Sequence, residues 1–191
     1  QLQFERFLSN GIFLKTVLCT NESDGEPIVC KIYFKRELNE QEMKMFSKHV
    51  ESMKEIRELY NIKTSPNIAP IIIVNDNIQN AGIIIRQYYS YNLKERTACM
   101  PYLTPIEKKW ISFQLIYALT QLHNKGYCHG DIKMENVMLS STSSVFLADI
   151  APYKPAYIQQ DDVGSFTYYF ATNSSVKNCY LAPERLVTKS V

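Results

Sequence analysis

A carboxylate, an ammonium and a carboxamide stand within six residues of one another in His129-Gly130-Asp131-Ile132-Lys133-Met134-Glu135-Asn136. A second carboxylate, Asp149, follows thirteen positions after Asn136, inside Phe146-Leu147-Ala148-Asp149-Ile150-Ala151. Phosphoryl transfer uses this set: Asp131 to accept a hydroxyl proton, Lys133 to offset phosphate charge, Asn136 and Asp149 to hold Mg²⁺ against a triphosphate. Asp and Asn also serve commonly as turn residues. The register of Lys133 and Asp149 argues against that blander use, as do Val29-Cys30-Lys31 upstream and Ala182-Pro183-Glu184 downstream.

These residues need elements to position them. Phe13–Cys19 and Ile28–Phe34 are rich in β-branched and aromatic residues, and Asn21-Glu22-Ser23-Asp24-Gly25 supplies a turn between them. Lys31 thus lies on the second arm of a hairpin, on a third strand. Phe46, Val50, Met53, Ile56 and Tyr60 recur at helical spacing from Asn39 to Tyr60, and Asn39 with Glu42 forms a capping box. Ile71–Val74 and Ala81–Tyr89 are a further strand pair, so residues 1–86 read as a small α+β lobe. In the rest, residues 87–191, Thr104, Pro105 and Glu107 open a long helix that Gly126 ends. Trp110, Phe113, Tyr117 and Leu122 are expected on its buried side. Val137-Met138-Leu139 and Val145-Phe146-Leu147 form a short hairpin leading to Asp149. Residues 151–180 read as an irregular, Tyr-rich segment long enough to be functional.

Composition excludes some classes. An apolar fraction of 46% places the chain among globular proteins rather than disordered ones. The net charge of +2 gives no reason to expect nucleic acid. The longest apolar runs are far shorter than a bilayer span. Five cysteines at irregular spacing, with no CxxC pair, read as reduced cytosolic thiols without zinc. The chain opens on Gln1, so it is expected to be part of a longer protein.

Three stretches carry a resemblance: 129–138, Ala148-Asp149-Ile150-Ala151-Pro152-Tyr153-Lys154-Pro155-Ala156-Tyr157, and Cys179-Tyr180-Leu181-Ala182-Pro183-Glu184-Arg185. With Glu107-Lys108-Lys109-Trp110 and Arg86-Gln87-Tyr88, they resemble the protein-kinase-like regulatory subunits of class III phosphatidylinositol 3-kinase complexes. The resemblance runs from about Phe4 to the end. It implies a bilobal kinase fold whose C-terminal lobe stops after Ala-Pro-Glu, with ATP or GTP and Mg²⁺ as cofactors. Gly11, Lys31, Gln87 and Tyr89 would bind nucleotide, and Asn136 and Asp149 the metal. The implied partner is the catalytic subunit of the lipid kinase. The implied location is cytoplasmic and peripheral on endosomal or autophagic membranes, any lipid anchor lying outside this chain. Glu184 would pair with an Arg beyond Val191.

The chain departs from an ordinary kinase at five places. Of the glycine positions Ser9, Gly11 and Leu14, only Gly11 is glycine. Gly130 replaces an Arg that receives activation-loop phosphate. Ala151 replaces the Gly of Asp-Phe-Gly. On the first helix His49, not Glu51, lies on the apolar seam, so no Glu is assigned to Lys31. Arg86 stands before the hinge, either facing a purine carbonyl, which favours GTP, or turned to an acid of the helix. Tyr153, Tyr157, Tyr168, Tyr169 and Phe170 either meet a partner or fill the core. Two functions follow: a Ser/Thr protein kinase, which Lys133 favours, or a weakly active scaffold that binds nucleotide structurally. A small-molecule phosphotransferase would share His-Gly-Asp but lack Lys133 and Ala-Pro-Glu.

Overall fold

The computed structural model describes residues 1–10, 15–35, 39–55, 63–75, 80–170 and 180–188. Its first layer is an antiparallel sheet of β1 (Leu2–Asn10), β2 (Lys15–Asn21), β3 (Pro27–Phe34), β4 (Ile71–Asn75) and β5 (Ala81–Gln87). The strand order is β1-β2-β3-β5-β4, which makes β3 central. The turn from β2 to β3 closes on Asn21, whose carbonyl accepts from Gly25 N at 2.8 Å. Register pairs Lys31 with Ile84 and Val29 with Arg86. Side chains alternate along a strand, so Val29, Lys31, Tyr33, Ile84 and Arg86 share one sheet face.

Helix α1 (Glu40–Glu55) packs on that face. Phe46, Val50 and Met53 are buried at its expected helical spacing, and His49 is buried on the same seam. Ile56, Tyr60 and the Glu42 side chain lie outside the described residues. The approach is close because β5 carries Gly82 there: a Cβ would come 2.3 Å from Phe46 Cζ. The Tyr33 ring lies 4.8 Å from Phe46 and 5.8 Å from His49.

Below the sheet, β6 (Tyr91–Asn92) leads into α2 (Leu93–Ala98) and then α3 (Pro105–His123). Thr104 and Glu107 form the reciprocal cap expected of them, and Gly126, at φ +79°, follows the helix end. β7 (Val137–Leu139) and β8 (Val145–Leu147) pair as the anticipated hairpin, with β6 on its far side. Tyr33, Phe46 and Ile84 share one apolar cluster with Ile111, Leu122, Leu147 and Ile150, so a single core joins the sheet layer to the helical one. Among the described residues of 151–180, β9 (Ile158–Gln159) and α4 (Val163–Phe170) are regular where an irregular segment was expected; β10 (Leu186–Val187) follows and pairs with β9 in parallel.

The buried side of α3 differs from expectation. Trp110, Phe113 and Tyr117 are exposed and stack along the surface, while Ile111, Gln114, Ala118 and Leu122 face inward. A polar residue holds the inner seam because it has backbone work there. Gln114 accepts from Val145 N at 3.0 Å and donates to Ser143 O at 3.0 Å. Gln114→Leu keeps the volume but orphans both backbone groups, so unfolding titrations are expected to show a loss of about 2–3 kcal/mol.

Candidate active site

The loop after α3 is built around His129, which is 1% exposed. Its Nδ1 accepts from Asp131 N (3.1 Å), so Nε2 carries the proton and donates to Ala148 O (2.9 Å). Burial holds its pKa below the ordinary histidine range, consistent with this neutral ring. The imidazole thus ties the Asp131 loop to the Asp149 segment, and a backbone bond from Ala151 N to His129 O at 2.7 Å doubles the tie. Gly130 sits at this seam with φ +81°, and a Cβ on it would lie 2.2 Å from Ala151 O. The sequence marks Gly130 as a lost phosphate receiver; the fold gives it a steric reason of its own.

Asn136 closes the loop from a 3-10 turn, Met134–Asn136. Its Nδ2 donates to Asp131 O (2.8 Å) and to Asp131 Oδ2 (3.3 Å). That fixes the carboxamide with Oδ1 turned away from Asp131. Lys133 Nζ lies 3.1 Å from Asp131 Oδ2. Two further donors come from the segment that follows: Lys154 Nζ at 2.9 Å and Tyr180 Oη at 2.6 Å, both on Asp131 Oδ1. A carboxylate has about four acceptor positions, and the chain's own groups take all four. Burial alone would raise the Asp131 pKa, but Lys154, Lys133 and Tyr180 outweigh it and hold the group below the usual carboxylate value.

Lys31 reaches the site from β3. Its acid partner is Asp149, with Nζ 2.5 Å from Oδ1, and no Glu of α1 takes that place among the described residues. The helix instead presents His49, whose ring packs 4.8 Å from that of Tyr153 and whose Nδ1 has no hydrogen-bond partner. Arg86 answers neither alternative fully. Its Nε lies 3.3 Å from Asp149 Oδ1, an attraction between charges without an aligned hydrogen bond, and its Nη1 donates to Gln87 O at 3.0 Å. Lys31 and Arg86 are diagonal neighbours on one sheet face, which is why they converge on the same oxygen. Asp149 adopts φ +64° to meet them. Burial pushes its pKa up, yet the two cations prevail and hold it well below the ordinary value.

Burial, reinforced by the Lys31 charge, pushes the His49 pKa down to about 3. A group with a depressed folded pKa contributes fully above its unfolded value, about 6.5, and loses that contribution as pH falls toward the folded value. Lowering pH from 7.5 to 5 is expected to cost about 2 kcal/mol through this residue. Unfolding free energies for wild type and His49→Gln test it: the variant's curve should be flatter between pH 6.5 and 5.

Lys31, Asp131, Lys133, Asn136 and Asp149 line one cleft of about 1080 Å³, together with Arg86 and Tyr89. Gly11 lies outside the described residues. Gln87, expected to bind nucleotide, is exposed and is not among the residues that line the cleft; its carbonyl accepts from Arg86 Nη1. Tyr89 packs its ring 4.9 Å from Phe146 and has no partner for its hydroxyl. Of the aromatic stretch, Phe170 is core and Tyr157 is exposed. Glu184 is exposed, and the Arg expected to pair with it lies outside the described residues; Arg185 donates to Gly130 O at 3.2 Å, Ala156 O at 3.0 Å and Pro155 O. Lys154, Tyr180 and Arg185 occur in the motifs quoted above, but nothing in their spacing assigns them to Asp131 or its loop.

The donor set suits Mg²⁺. One carboxylate and one carboxamide oxygen on the cleft wall are the oxygen ligands that this ion takes when phosphates complete its shell. Among the described residues no cluster of three His, Cys, Asp or Glu forms a self-sufficient metal site. Sheet, hinge and loop define a protein kinase, and the family comparison agrees, with the protein kinase domain matching residues 2–191. The chain belongs to the protein kinase family. Within it, the chain is 43% identical over 184 residues to the probable serine/threonine-protein kinase vps15 of Dictyostelium discoideum, covering 95% of this chain and 9% of that protein. It is 38% identical over 188 residues to the serine/threonine-protein kinase VPS15 of Arabidopsis thaliana, covering 96% and 12%. The VPS15 of Saccharomyces cerevisiae is 36% identical over 183 residues, covering 95% and 12%. The chain therefore spans about a tenth of the length of the curated relatives it matches.

Proposed function

We propose that the chain is the nucleotide-binding and catalytic part of a serine/threonine protein kinase that transfers phosphoryl groups from an Mg²⁺-nucleotide to a protein hydroxyl. The observation that carries this is the convergence of Lys31, Asp131, Lys133, Asn136 and Asp149 on one cleft. Bound Mg²⁺ neutralises triphosphate charge as the phosphoryl group moves. Asp149 and the Oδ1 of Asn136 are the groups to hold it. Lys31, released from Asp149, pairs with phosphate. Asp131 orients the acceptor hydroxyl and takes its proton, and Lys133 offsets charge on the moving group. Radiolabel transfer by the full-length protein, compared with Asp131→Asn, tests this. Loss of transfer in the variant is expected, and unchanged transfer overturns the role of Asp131.

The whole protein, by its similarity to VPS15 kinases, acts as the regulatory subunit of a class III phosphatidylinositol 3-kinase complex in autophagy and endosomal sorting. It would work in the cytoplasm on the surface of those membranes, bound to the lipid-kinase catalytic subunit. A second reading has its own support: a scaffold of little transferase activity that binds nucleotide structurally. His49 stands where active kinases supply a Glu to the lysine, and Asp131 is saturated by internal donors. Nucleotide-dependent stabilisation without any Asp131-dependent transfer would select that reading.

The nucleotide preference follows from Arg86. Arg86 lines the cleft, and its guanidinium can only donate, so it cannot accept from a purine amino group. A carbonyl at purine position 6 can instead accept from the guanidinium. GTP is therefore expected to raise the melting temperature more than ATP. Equal or greater stabilisation by ATP rejects the preference.

A further inference from the structure

Two of the buried polar groups that line the cleft have no hydrogen-bond partner among the described residues. One is Nδ1 of His49, 7% exposed on α1, and the other is Oη of Tyr33, 3% exposed on β3. Their rings lie 5.8 Å apart, and that of Tyr153 lies 4.8 Å from the imidazole. Leaving a buried acceptor unmatched is costly, and native proteins do so rarely. Lys31 is the donor nearest in the fold to answer it. Tyr33 stands two residues from Lys31 on the same face of β3. The Lys31 charge already reaches the imidazole strongly enough to help keep it neutral.

The present partner of Lys31 is one it must give up. Its Nζ is bonded to Asp149 Oδ1, and Asp149 is the carboxylate assigned above to Mg²⁺. An ammonium has three protons to donate, and pairing with phosphate does not engage them all. The flexible lysine stem lets Nζ move between partners. A carboxylate at position 49 would hold Lys31 too, but it would compete with Asp149 in the nucleotide-free protein. It would also offset the charge that phosphate needs. A neutral imidazole orients the ammonium and leaves its charge intact.

We propose that His49 is a positioning residue that takes over Lys31 from Asp149 when Mg²⁺-nucleotide binds, its Nδ1 accepting from the lysine Nζ. This rests on the nucleotide-binding part of the function given above, which both of its readings share. Lys31 then alternates between two acceptors. In the nucleotide-free protein it joins β3 to the Asp149 segment. In the loaded protein it joins β3 to α1, so that nucleotide pins the helix to the sheet.

The test measures Mg²⁺-GTP and Mg²⁺-ATP binding to the full-length protein and to its His49→Leu and His49→Gln variants. Leucine fills the space without an acceptor, and glutamine keeps one. His49→Leu should weaken Mg²⁺-nucleotide binding by about tenfold, the contribution of one hydrogen bond to a charged group, and His49→Gln should retain most of the affinity. With EDTA in place of Mg²⁺ the three proteins should bind alike, because Asp149 keeps Lys31. Amide exchange in α1 should slow on adding Mg²⁺-nucleotide to wild type and His49→Gln, and should not slow in His49→Leu. Each comparison is between loaded and free forms of one protein, so a role in folding alone would leave them unmoved. Equal Mg²⁺-nucleotide binding by wild type and His49→Leu overturns the inference and leaves the nucleotide reading standing. So does a loss that glutamine shares, or one that persists in EDTA. Failure of the wild type to bind either nucleotide overturns both.

Discussion

Replacing Gly130 by arginine, the residue an ordinary kinase carries there, lowers the stability of this protein by about 2–5 kcal/mol and restores no phosphate-dependent control. Two costs combine. The backbone at φ +81° is unfavourable for a residue with a Cβ by about 1–2 kcal/mol. The Cβ would also lie 2.2 Å from Ala151 O and 2.9 Å from Ala151 C, and backbone cannot swing aside as a flexible side chain can. Relief means parting the two strands of chain joined by the Ala151 N to His129 O bond, adding about 1–3 kcal/mol of overpacking strain. For a domain of this size the sum corresponds to a fall of roughly 10 °C in melting temperature. Gly25 supplies the control. It has φ +73° with nothing within 4 Å of a Cβ, so Gly25→Ala carries the conformational cost alone, about 1 kcal/mol. Equal losses at the two glycines would show that the Ala151 contact is not what Gly130 serves. A gain in stability on Gly130→Arg would show that the loop can adopt the ordinary kinase path.

The same seam marks how far the sequence could be read. Local chemistry was legible: the turn at Asn21–Gly25, the Thr104–Glu107 cap and the α1 seam through Phe46, Val50 and Met53 all form as their patterns require. Asp131, Lys133 and Asn136 meet because they are fixed at short spacing on one loop. What escaped depends on the chain returning from a distance. Lys154, Tyr180 and Arg185 meet the Asp131 loop only when the segment after Asp149 folds back, and no short-range period encodes that. Arg86 escaped for a related reason. Its neighbours in sequence gave two options, a base and a helix acid, whereas register with β3 sets it diagonally from Lys31 and so within reach of Asp149. On α3 the error ran the other way. Aromatic residues suggested a buried stripe, but Gln114 sits on the inner seam because the Val145 and Ser143 backbone groups need a partner there.

Asp149→Asn is expected to destabilise the nucleotide-free protein by about 3–4 kcal/mol at neutral pH. Lys31 is 13% exposed and Arg86 8%, and both rely on the same Asp149 oxygen for their opposite charge. Removing one partner of a buried pair costs about 3–5 kcal/mol; Asp149 keeps 23% exposure, so the lower part of that range applies. Burial already depresses the Lys31 pKa, with Asp149 opposing the shift, and without Asp149 it falls further. A lysine whose folded pKa is depressed binds fewer protons folded than unfolded, so stability rises with pH. The deficit is therefore full near pH 7 and shrinks as pH approaches about 10, the unfolded value. Nucleotide supplies a second check. Without Mg²⁺, its phosphates can replace the lost carboxylate beside Lys31 and should stabilise the variant more than the wild type, whose Lys31 is already paired. Adding Mg²⁺ should help the wild type and not the variant, because Asp149 is the carboxylate assigned to the metal. A variant as stable as wild type at pH 7 would mean that solvent, not Asp149, carries the charge of Lys31. If Mg²⁺ stabilises both proteins alike, the metal is held elsewhere, and Asp149 serves the lysine alone.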